Sequence, residues 1–238
     1  MSDQEKYQSP VEEVEASKKI LLQGDYLKQA LENLQLTSRT AKGVVDTSAS
    51  ADKAEKMAGG LTVEMAAKRA LQNFNNAIQY LFEHRQEQFD DSQKLREFVE
   101  SVVKQINTGI TKEDVLIRSG MDSTKFPYTK IVDLEPAMQQ FYKELLRRLK
   151  DPKEDPKEIA AFIEYHIDPI DHFFADGCGK VAKAISAWSL MQKNFPLPHY
   201  RGRDEYYARA RLENPTGDSI TDKQRQWEQW LAYYKTLF

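Results

Sequence analysis

A short segment in the second half of the chain combines the groups that chemistry on a phosphate needs. It reads His172-Phe173-Phe174-Ala175-Asp176-Gly177-Cys178-Gly179-Lys180-Val181-Ala182-Lys183. The His172 imidazole titrates near neutrality and can act as a base, and Asp176 offers the hard oxygen that magnesium prefers. Gly177 and Gly179 flank a predicted helix start, where backbone N–H groups and the helix dipole attract anions. A base, a metal ligand and an anion-binding turn in one segment predict a phosphate-transfer site.

Two lysines in the same segment extend this interpretation. Lys180 and Lys183 lie one helical turn apart, so we expect both to lean toward the same anion. The segment is not a Walker loop, which needs a glycine where this chain has Phe174 and a serine or threonine where it has Val181. The predicted turn also joins two helices, whereas a Walker loop joins a strand to a helix.

The segment resembles the signature of the Fic (Fic/Doc) family, usually written H-x-F-x-D/E-G-N-G-R-x-x-R. The residues that match in register are His172, Phe174, Asp176, Gly177 and Gly179. The resemblance covers roughly residues 45–235. Outside the signature it is carried by residues 61–81, 155–165 and 203–207.

The resemblance implies an all-α helical bundle with a small β-hairpin flap. Residues 109–134 occupy the place of the family's target-docking flap, in which Thr124, Lys125, Phe126 and Tyr128 would dock a target by adding a strand to it. In most family members a nucleoside triphosphate binds with Mg²⁺, a target hydroxyl attacks the α-phosphate, and AMP is left on serine, threonine or tyrosine. We therefore expect a protein adenylyltransferase, with ATP as co-substrate and a protein target as partner.

The resemblance also implies a role for each matched residue of the motif, residues 172–183. His172 would be the general base, Asp176 would hold the metal, and Phe174 would be a buried wedge that anchors the loop. The phosphates would be bound by the turn and the positions after it, which are Gly177, Cys178, Gly179, Lys180 and Lys183.

Three positions differ from the signature. Cys178 replaces an asparagine, and a thiol donates and accepts hydrogen bonds weakly. Lys180 and Lys183 replace arginines and lose the bidentate fork. Two alternatives therefore stay open: a transferase of the same fold with another donor, phosphate or phosphocholine, or a binding module that kept the fold without catalysis.

Regulation is a further implication of the resemblance. Many family members carry an inhibitory helix whose glutamate pairs with the second arginine of the signature. Residues 51–56 correspond to that helix, and Glu55 is the candidate inhibitory residue that would reach Lys183. An inhibitory partner protein or a homo-oligomer is compatible with the same interpretation.

The motif region allows two other interpretations, which we rank lower. Cys178, at a helix N-terminus beside two lysines, is expected to have a lowered pKa, as reactive cysteines do, and could be a nucleophile or a redox sensor. Residues 166–172 contain two histidines and two aspartates and could form a zinc site. We expect Pro169 to break helical i,i+4 pairing there, which disfavours zinc.

Apolar residues at helical spacing predict the elements that position the motif. Stripes with a period of 3.6 residues lie within residues 70–81, 95–106, 138–149 and 181–188. Asp155 with Pro156 predicts the start of the helix before the motif, and Asp133 with Pro136 predicts the start of an earlier one.

The remaining segments divide the chain. Short β-prone pieces at residues 115–117 and 128–132 predict the hairpin between two helices. We expect residues 1–36 to form a separate N-terminal helical segment, and residues 37–238 to form the main domain.

The composition limits the partners and the compartment. The 238 residues include 34 basic and 37 acidic ones, and a net charge of −3 is not typical of a protein whose main partner is nucleic acid. The apolar runs are short and the mean hydropathy is −0.68, which predicts no membrane span. One cysteine and no apolar leader lead us to expect a cytoplasmic protein, with export by a route that needs no signal peptide left open.

Overall fold

The computed structural model describes residues 63–110, 116–120, 128–200, 205–206, 209 and 220–238. These residues confirm the predicted all-α class. In chain order the helices are α1 (Val63–Glu83), α2 (Ser92–Asn107), α3 (Ile131–Lys150), α4 (Pro156–Tyr165), α5 (Cys178–Gln192) and α6 (Ile220–Lys235). A π-helical turn, His166–Ile170, continues α4. Among the described helices we find none with the length and apolar character that crossing a bilayer requires.

Several predicted features lie outside the described residues. They are the N-terminal segment at residues 1–36, the candidate inhibitory Glu55, and three of the proposed docking residues, Thr124, Lys125 and Phe126. For these the sequence-based interpretation stays a prediction.

The helix that begins inside the motif, α5, forms the centre of the bundle. Every side chain from Val181 to Met191 is buried, and α5 packs against α1, α2 and α4. The predicted stripe from Val181 to Trp188 is therefore confirmed, but burial extends to all faces of the helix. A helix that is buried on all sides is typical of the interior of a larger bundle.

The predicted stripes of α1, α2 and α3 are buried in the core, where α1 and α2 pack against α5, and α3 packs against α2 and α4. Their buried members are Ala70, Phe74, Ala77, Ile78, Leu81, Leu95, Phe98, Val99, Val102, Val103, Ile106, Met138, Phe141, Tyr142 and Leu145. Aromatic rings join α2 to α5, since the centroids of Phe98 and Trp188 lie 5.1 Å apart. Aromatic pairs at this distance contribute stability beyond the area that they bury.

The helix before the motif begins as its sequence predicts. The Asp155 carboxylate accepts a hydrogen bond of 2.9 Å from the Lys157 backbone N–H, and Pro156 is the first helical residue. Such a cap satisfies one of the N–H groups that a helix start leaves without an intrahelical partner.

The predicted start of α3 is wrong. The helix begins at Ile131, and its capping residue, Lys130, makes no side-chain cap bond. Asp133 lies in the first turn, where an acidic group suits the helix dipole. The β-prone residues Ile131 and Val132 are therefore helical, because packing of Ile131 against the core overrides their weak preference for a strand.

The C-terminal helix is anchored directly to the helix before the motif. The indole Nε1 of Trp230 donates a 2.9 Å hydrogen bond to the Ala161 carbonyl oxygen in α4. Trp230 and Tyr234 are fully buried, whereas Trp227 on the same helix is only partly buried. We infer that Trp230 is the main attachment point of α6.

We expect Trp230→Ala to lower the free energy of unfolding by about 3–5 kcal/mol, because it removes a fully buried ring and leaves a cavity. Trp227→Ala is the matched control and should lower it by clearly less, since part of that ring is exposed. Urea unfolding followed by circular dichroism measures both. Equal losses for the two variants would contradict the anchoring role of Trp230.

Candidate active site

The motif loop lies between the end of α4 and the start of α5. The π-helical turn carries the chain through Pro169 with a backbone bond of the i→i+5 type, from the Asp171 N–H to the His166 carbonyl oxygen at 3.1 Å. The chain therefore stays helical at Pro169, in a form other than the i,i+4 pairing that Pro169 is expected to break. His166 Nδ1 lies 2.6 Å from Asp171 Oδ2, and these two groups bond to each other. Within the described ranges no group of three acidic, histidine or cysteine side chains is placed to hold a metal ion, which gives the zinc interpretation no support.

His172 is held in an unusual conformation at the start of the loop. Its φ of 53° lies in the left-handed region that few non-glycine residues adopt. Its Nδ1 lies 3.0 Å from the backbone carbonyl oxygen of Asp168. Since a carbonyl oxygen only accepts, Nδ1 must carry the proton, which leaves Nε2 as the basic nitrogen of the neutral ring.

The imidazole of His172 is also fixed from one side by an aromatic ring. Tyr128 stacks on it with a centroid distance of 4.2 Å and an interplanar angle of 11°. The sequence predicts that Tyr128 docks a target, but in the structure its ring contacts the candidate base. Stacking and the Nδ1 hydrogen bond together define the plane in which the ring lies.

Arg118 is a functional candidate that no sequence motif marks. Its Nε donates to the His172 carbonyl oxygen at 2.9 Å, and one terminal nitrogen donates to the carbonyl oxygens of Asp171 and Thr129. Its guanidinium also lies 5.7 Å from the centre of the Tyr128 ring. One side chain therefore joins the loop of the candidate base to the segment that carries Tyr128.

The predicted hairpin is not seen as a hairpin in the described residues. Ile117 forms an antiparallel bridge with Phe174 of the motif loop. The Arg118 N–H donates to the Phe173 carbonyl oxygen at 2.9 Å, and the Ala175 N–H donates to the Leu116 carbonyl oxygen at 3.1 Å. The β-prone piece at residues 115–117 thus pairs through its described part with the motif itself.

The other end of the flap region is bonded to the motif as well. The Thr129 N–H donates to the Ile170 carbonyl oxygen at 3.1 Å, and its hydroxyl donates to Asp171 Oδ1 at 2.5 Å. Residues 116–118 and Thr129 are therefore both tied to the loop. No sequence signal marks these contacts, because they join residues that are far apart in the chain.

The turn at Asp176 and Gly177 is closed by a residue from α2. Gly177 has a φ of 76°, and a Cβ built on it would lie 2.8 Å from Asn107 Oδ1. The Asn107 amide donates to the Asp176 carbonyl oxygen at 3.1 Å. Glycine is required here both for its backbone angle and for the close approach of Asn107, the last residue of α2.

Asp176 lies at the partly exposed side of this turn. Its Oδ1 accepts a 2.7 Å hydrogen bond from the Gly177 N–H. The Gly177 amide, predicted to contact phosphate, is thus bonded to a carboxylate. The amides that follow it at the start of α5 belong to Cys178 and Gly179.

Cys178 is placed differently from the prediction. Its side chain is buried, and its thiol donates to the Phe174 carbonyl oxygen at 3.2 Å. Burial raises the pKa of the thiol well above its usual range, and the nearby Asp168 carboxylate raises it further. The expected lowered pKa is therefore wrong, because desolvation outweighs the helix dipole and the lysines.

The two lysines of the motif lie in different environments and do not face a common site. Lys180 is partly exposed in the first turn of α5, but Lys183 is only 1% exposed. The Lys183 ammonium lies 3.7 Å from the centre of the Tyr206 ring and 5.3 Å from that of Tyr200. Burial lowers the pKa of Lys183, which the carboxylate of Glu164 raises in turn. The prediction that both lysines face one anion is wrong.

Glu164 is the centre of a buried polar cluster beneath the motif. Its Oε1 accepts hydrogen bonds from Ser186 Oγ at 2.7 Å, from Tyr234 OH at 2.9 Å and from Tyr200 OH. Its Oε2 accepts one of 2.7 Å from Tyr206 OH. Burial and this carboxylate raise the pKa values of Tyr200 and Tyr234 well above the ordinary range, so both act as donors.

Phe174 is fully buried, as the proposed wedge requires. Phe173 beside it is equally buried, and its ring packs 5.2 Å from that of Phe141 in α3. The two rings anchor the loop in the core at the Ile117 bridge, in which Phe174 is the partner. The structure thus brings His172, Asp176, Gly179 and Lys180 to one loop and the first turn of α5, and places Cys178 and Lys183 in the interior.

Solved structures of Fic-domain proteins share this fold. A Fic-domain signalling protein from Bacteroides thetaiotaomicron has a TM-score of 0.60 at 16% identity, covering 98% of this chain and 88% of that one. IbpAFic2 covalently tethered to Cdc42 has a TM-score of 0.55 at 12% identity, covering 96% of this chain and 72% of that one. Fic-1 from C. elegans has a TM-score of 0.51 at 16% identity, covering 98% of this chain and 67% of that one.

At these identities the similarity shows the fold alone. No protein-family model matches the sequence, and no curated protein matches it. The predicted Fic-like fold is confirmed.

We expect iodoacetamide to alkylate native Cys178 at least about tenfold more slowly than the urea-unfolded chain at mildly alkaline pH, because the thiol is buried and its pKa is raised. Cys178 is the chain's one cysteine, so the incorporated mass reports on it alone. Equal rates, or faster reaction of the native protein, would show that the thiol is accessible and activated.

Proposed function

We propose that this protein transfers AMP from ATP to a serine, threonine or tyrosine hydroxyl of a target protein. The observation that carries the proposal is the hydrogen bond of His172 Nδ1 to the Asp168 carbonyl oxygen, which leaves Nε2 as the basic nitrogen in the loop that leads into α5. The fold adds support, since IbpAFic2 is similar and was solved in complex with adenylylated Cdc42, with a TM-score of 0.56 at 11% identity.

The proposed reaction needs one proton transfer and one displacement at phosphorus. His172 Nε2 takes the proton of the target hydroxyl as the hydroxyl oxygen forms a bond to the α-phosphorus. The bond between the α-phosphorus and the bridging oxygen breaks, and pyrophosphate leaves with that electron pair. The imidazolium then returns its proton to solvent.

The start of α5 supports phosphate binding through its backbone. The N–H groups of Cys178 and Gly179 lie in its first turn, where the dipole of a 15-residue helix favours an anion. Lys180, partly exposed in the same turn, adds a positive charge. Lys183 is assigned no phosphate, because its ammonium lies against Tyr206.

The residues of the loop fit the binding of a Mg²⁺ ion together with a nucleotide. Mg²⁺ usually takes one or two protein carboxylates, phosphate oxygens and water, and a partly exposed carboxylate at Asp176 suits this donor set. Asp176 would hold the ion through Oδ2, since Oδ1 accepts from Gly177. When bound, the ion neutralises charge on the phosphates.

Target docking is proposed for the flap region, by addition of an extended target segment to residues 124–128. Arg118 and Thr129, which flank residues 124–128 in the chain, support this proposal, because their hydrogen bonds fix them next to residues 170–172. A target strand paired there would place its hydroxyl near the imidazole.

We expect His172→Ala to reduce labelling of a target protein by ATP at least about a hundredfold, because it removes the general base. His199→Ala, at an exposed histidine outside residues 172–183, is the matched control and should label like the wild type. Intact mass spectrometry of candidate targets measures the label and identifies the transferred group. An added mass of phosphate after incubation with ATP, or of phosphocholine after a parallel incubation with a nucleotide that carries phosphocholine, would replace AMP as the transferred group. Equal labelling by His172→Ala would overturn the assignment of the base.

A second candidate function is a binding module without catalysis. The observation that favours it is the burial of Cys178 and Lys183, which removes two side chains that the family signature would use for nucleotide. Nucleotide binding separates the two functions, since only the transferase needs it.

We expect calorimetry to detect binding of ATP with Mg²⁺, and we expect Lys180→Ala to weaken it by about tenfold, the effect of losing one charge-assisted contact to phosphate. Lys143→Ala, on the exposed side of α3, is the charge-matched control and should bind like the wild type. Absence of binding by the wild-type protein would favour the module.

A further inference from the structure

Asp168, in the π-helical turn before the motif loop, carries a buried carboxylate that has no role in the reaction proposed above. The residue is 5% exposed, and among the described residues its Oδ2 has no hydrogen-bond partner. Buried polar groups are nearly always paired, because desolvation of a charge is unfavourable. A carboxylate kept in this state therefore requires an explanation.

The geometry of Asp168 relates it directly to His172. The backbone carbonyl oxygen of Asp168 accepts from His172 Nδ1 at 3.0 Å, and its carboxylate Oδ1 lies 3.6 Å from the same nitrogen. One residue thus presents both a neutral and a charged oxygen to Nδ1. The π-helical turn makes this possible, since it brings residues 168 and 172 together across Pro169.

The other charged and titratable groups around His172 make different contacts. Arg118 binds backbone carbonyl oxygens, among them that of His172, and Tyr128 covers one face of the ring. The Asp171 carboxylate accepts from Thr129 and bonds to His166. The Asp168 carboxylate is therefore the negative charge best placed to act on the Nδ1 side of the His172 ring.

The far side of Asp168 faces α5. Its charge contributes to the raised pKa of Cys178 and, after Glu164, opposes the lowering of the pKa of Lys183. A role as counter-charge for the buried Lys183 is therefore the structural alternative to a role in the site. The two roles differ in what the loss of the charge would do to His172.

We propose that Asp168 is a positioning residue, whose carboxylate stabilises the imidazolium that forms when His172 Nε2 accepts the target proton. The inference rests on the proposed function of His172 as the base. The Nδ1 proton stays on Nδ1 throughout, hydrogen-bonded to the Asp168 carbonyl oxygen, and the carboxylate at 3.6 Å acts through its charge. The positive charge that develops on the ring is then neutralised at its rear side, while Nε2 faces the target.

The test is an NMR titration of ¹³C-histidine-labelled protein, in which the His172 signal among the four histidines is identified by its loss in His172→Gln. Asp168→Asn keeps the backbone carbonyl and the side-chain shape but removes the charge. Loss of the negative charge should destabilise the His172 imidazolium, so that its acid dissociation constant rises at least about threefold. Asp90→Asn, at an exposed aspartate remote from the motif, is the matched control and should leave it unchanged.

A folded Asp168→Asn protein in which His172 titrates as in the wild type would overturn the proposal and favour the counter-charge role. If the variant does not fold, the wild-type protein still decides, because His172 should titrate at higher pH than the exposed His199. A titration midpoint at or below that of His199 would overturn the proposal.

Activity provides a separate readout. With saturating ATP, Asp168→Asn should lower kcat at least about tenfold and leave the KM for ATP unchanged, as expected when only the proton-transfer step is affected. If the titration behaves as expected but no nucleotide labels any target, the transferase proposal fails and the interaction between Asp168 and His172 stands. If labelling occurs but the titration is unaffected, the transferase proposal stands and Asp168 is not part of it.

Discussion

The carboxylate of Glu164 lies fully buried where α4, α5, α6 and the segment after α5 meet. It accepts hydrogen bonds from the hydroxyl groups of Ser186, Tyr200, Tyr206 and Tyr234. A buried carboxylate left without such partners costs several kcal/mol. The hydroxyls come from three separate parts of the chain, so the packing of α6, of Tyr200 and of Tyr206 depends on placing them around this one group.

The same cluster determines how the altered motif is arranged. Lys183 enters it from α5, with its ammonium over the Tyr206 ring and within reach of the Glu164 charge. Cys178 also faces the interior and donates to a backbone carbonyl oxygen. Two of the three positions that differ from the family signature are thus buried, whereas the matched His172 and Asp176 remain partly exposed. These two differences concern side chains that pack in the core, and the candidate base and metal ligand keep partly exposed positions.

The loop that carries His172 is held from outside the motif. Arg118 bonds to three backbone carbonyl oxygens with one guanidinium, a geometry that its fixed fork allows and a lysine could not reproduce. Ile117 and Thr129 add backbone pairing on either side. These contacts stabilise the left-handed backbone of His172, which is unfavourable by itself. They also connect the flap region mechanically to the candidate base.

The elements that depend on local pattern were predictable. The stripes of α1, α2, α3 and α5, the cap at Asp155 and the turn at Gly177 follow from residue spacing and backbone preference, which neighbours in the chain decide. The prediction failed for Ile131 and Val132, where core packing opposes a weak strand preference. The family resemblance was visible in five matched positions, although the identities to solved Fic-domain structures do not exceed 16%.

The sequence by itself therefore determined the helical class, the position of the motif loop and the identity of the candidate base. Only the tertiary structure decided which motif side chains face solvent, since burial of Cys178 and Lys183 depends on tyrosines and a glutamate that lie well outside the motif. It also decided the partners of His172, because Arg118 and Tyr128 reach it across more than forty residues of chain. Desolvation and long-range hydrogen bonds depend on which residues are close in space, so they cannot be inferred from residue spacing along the chain.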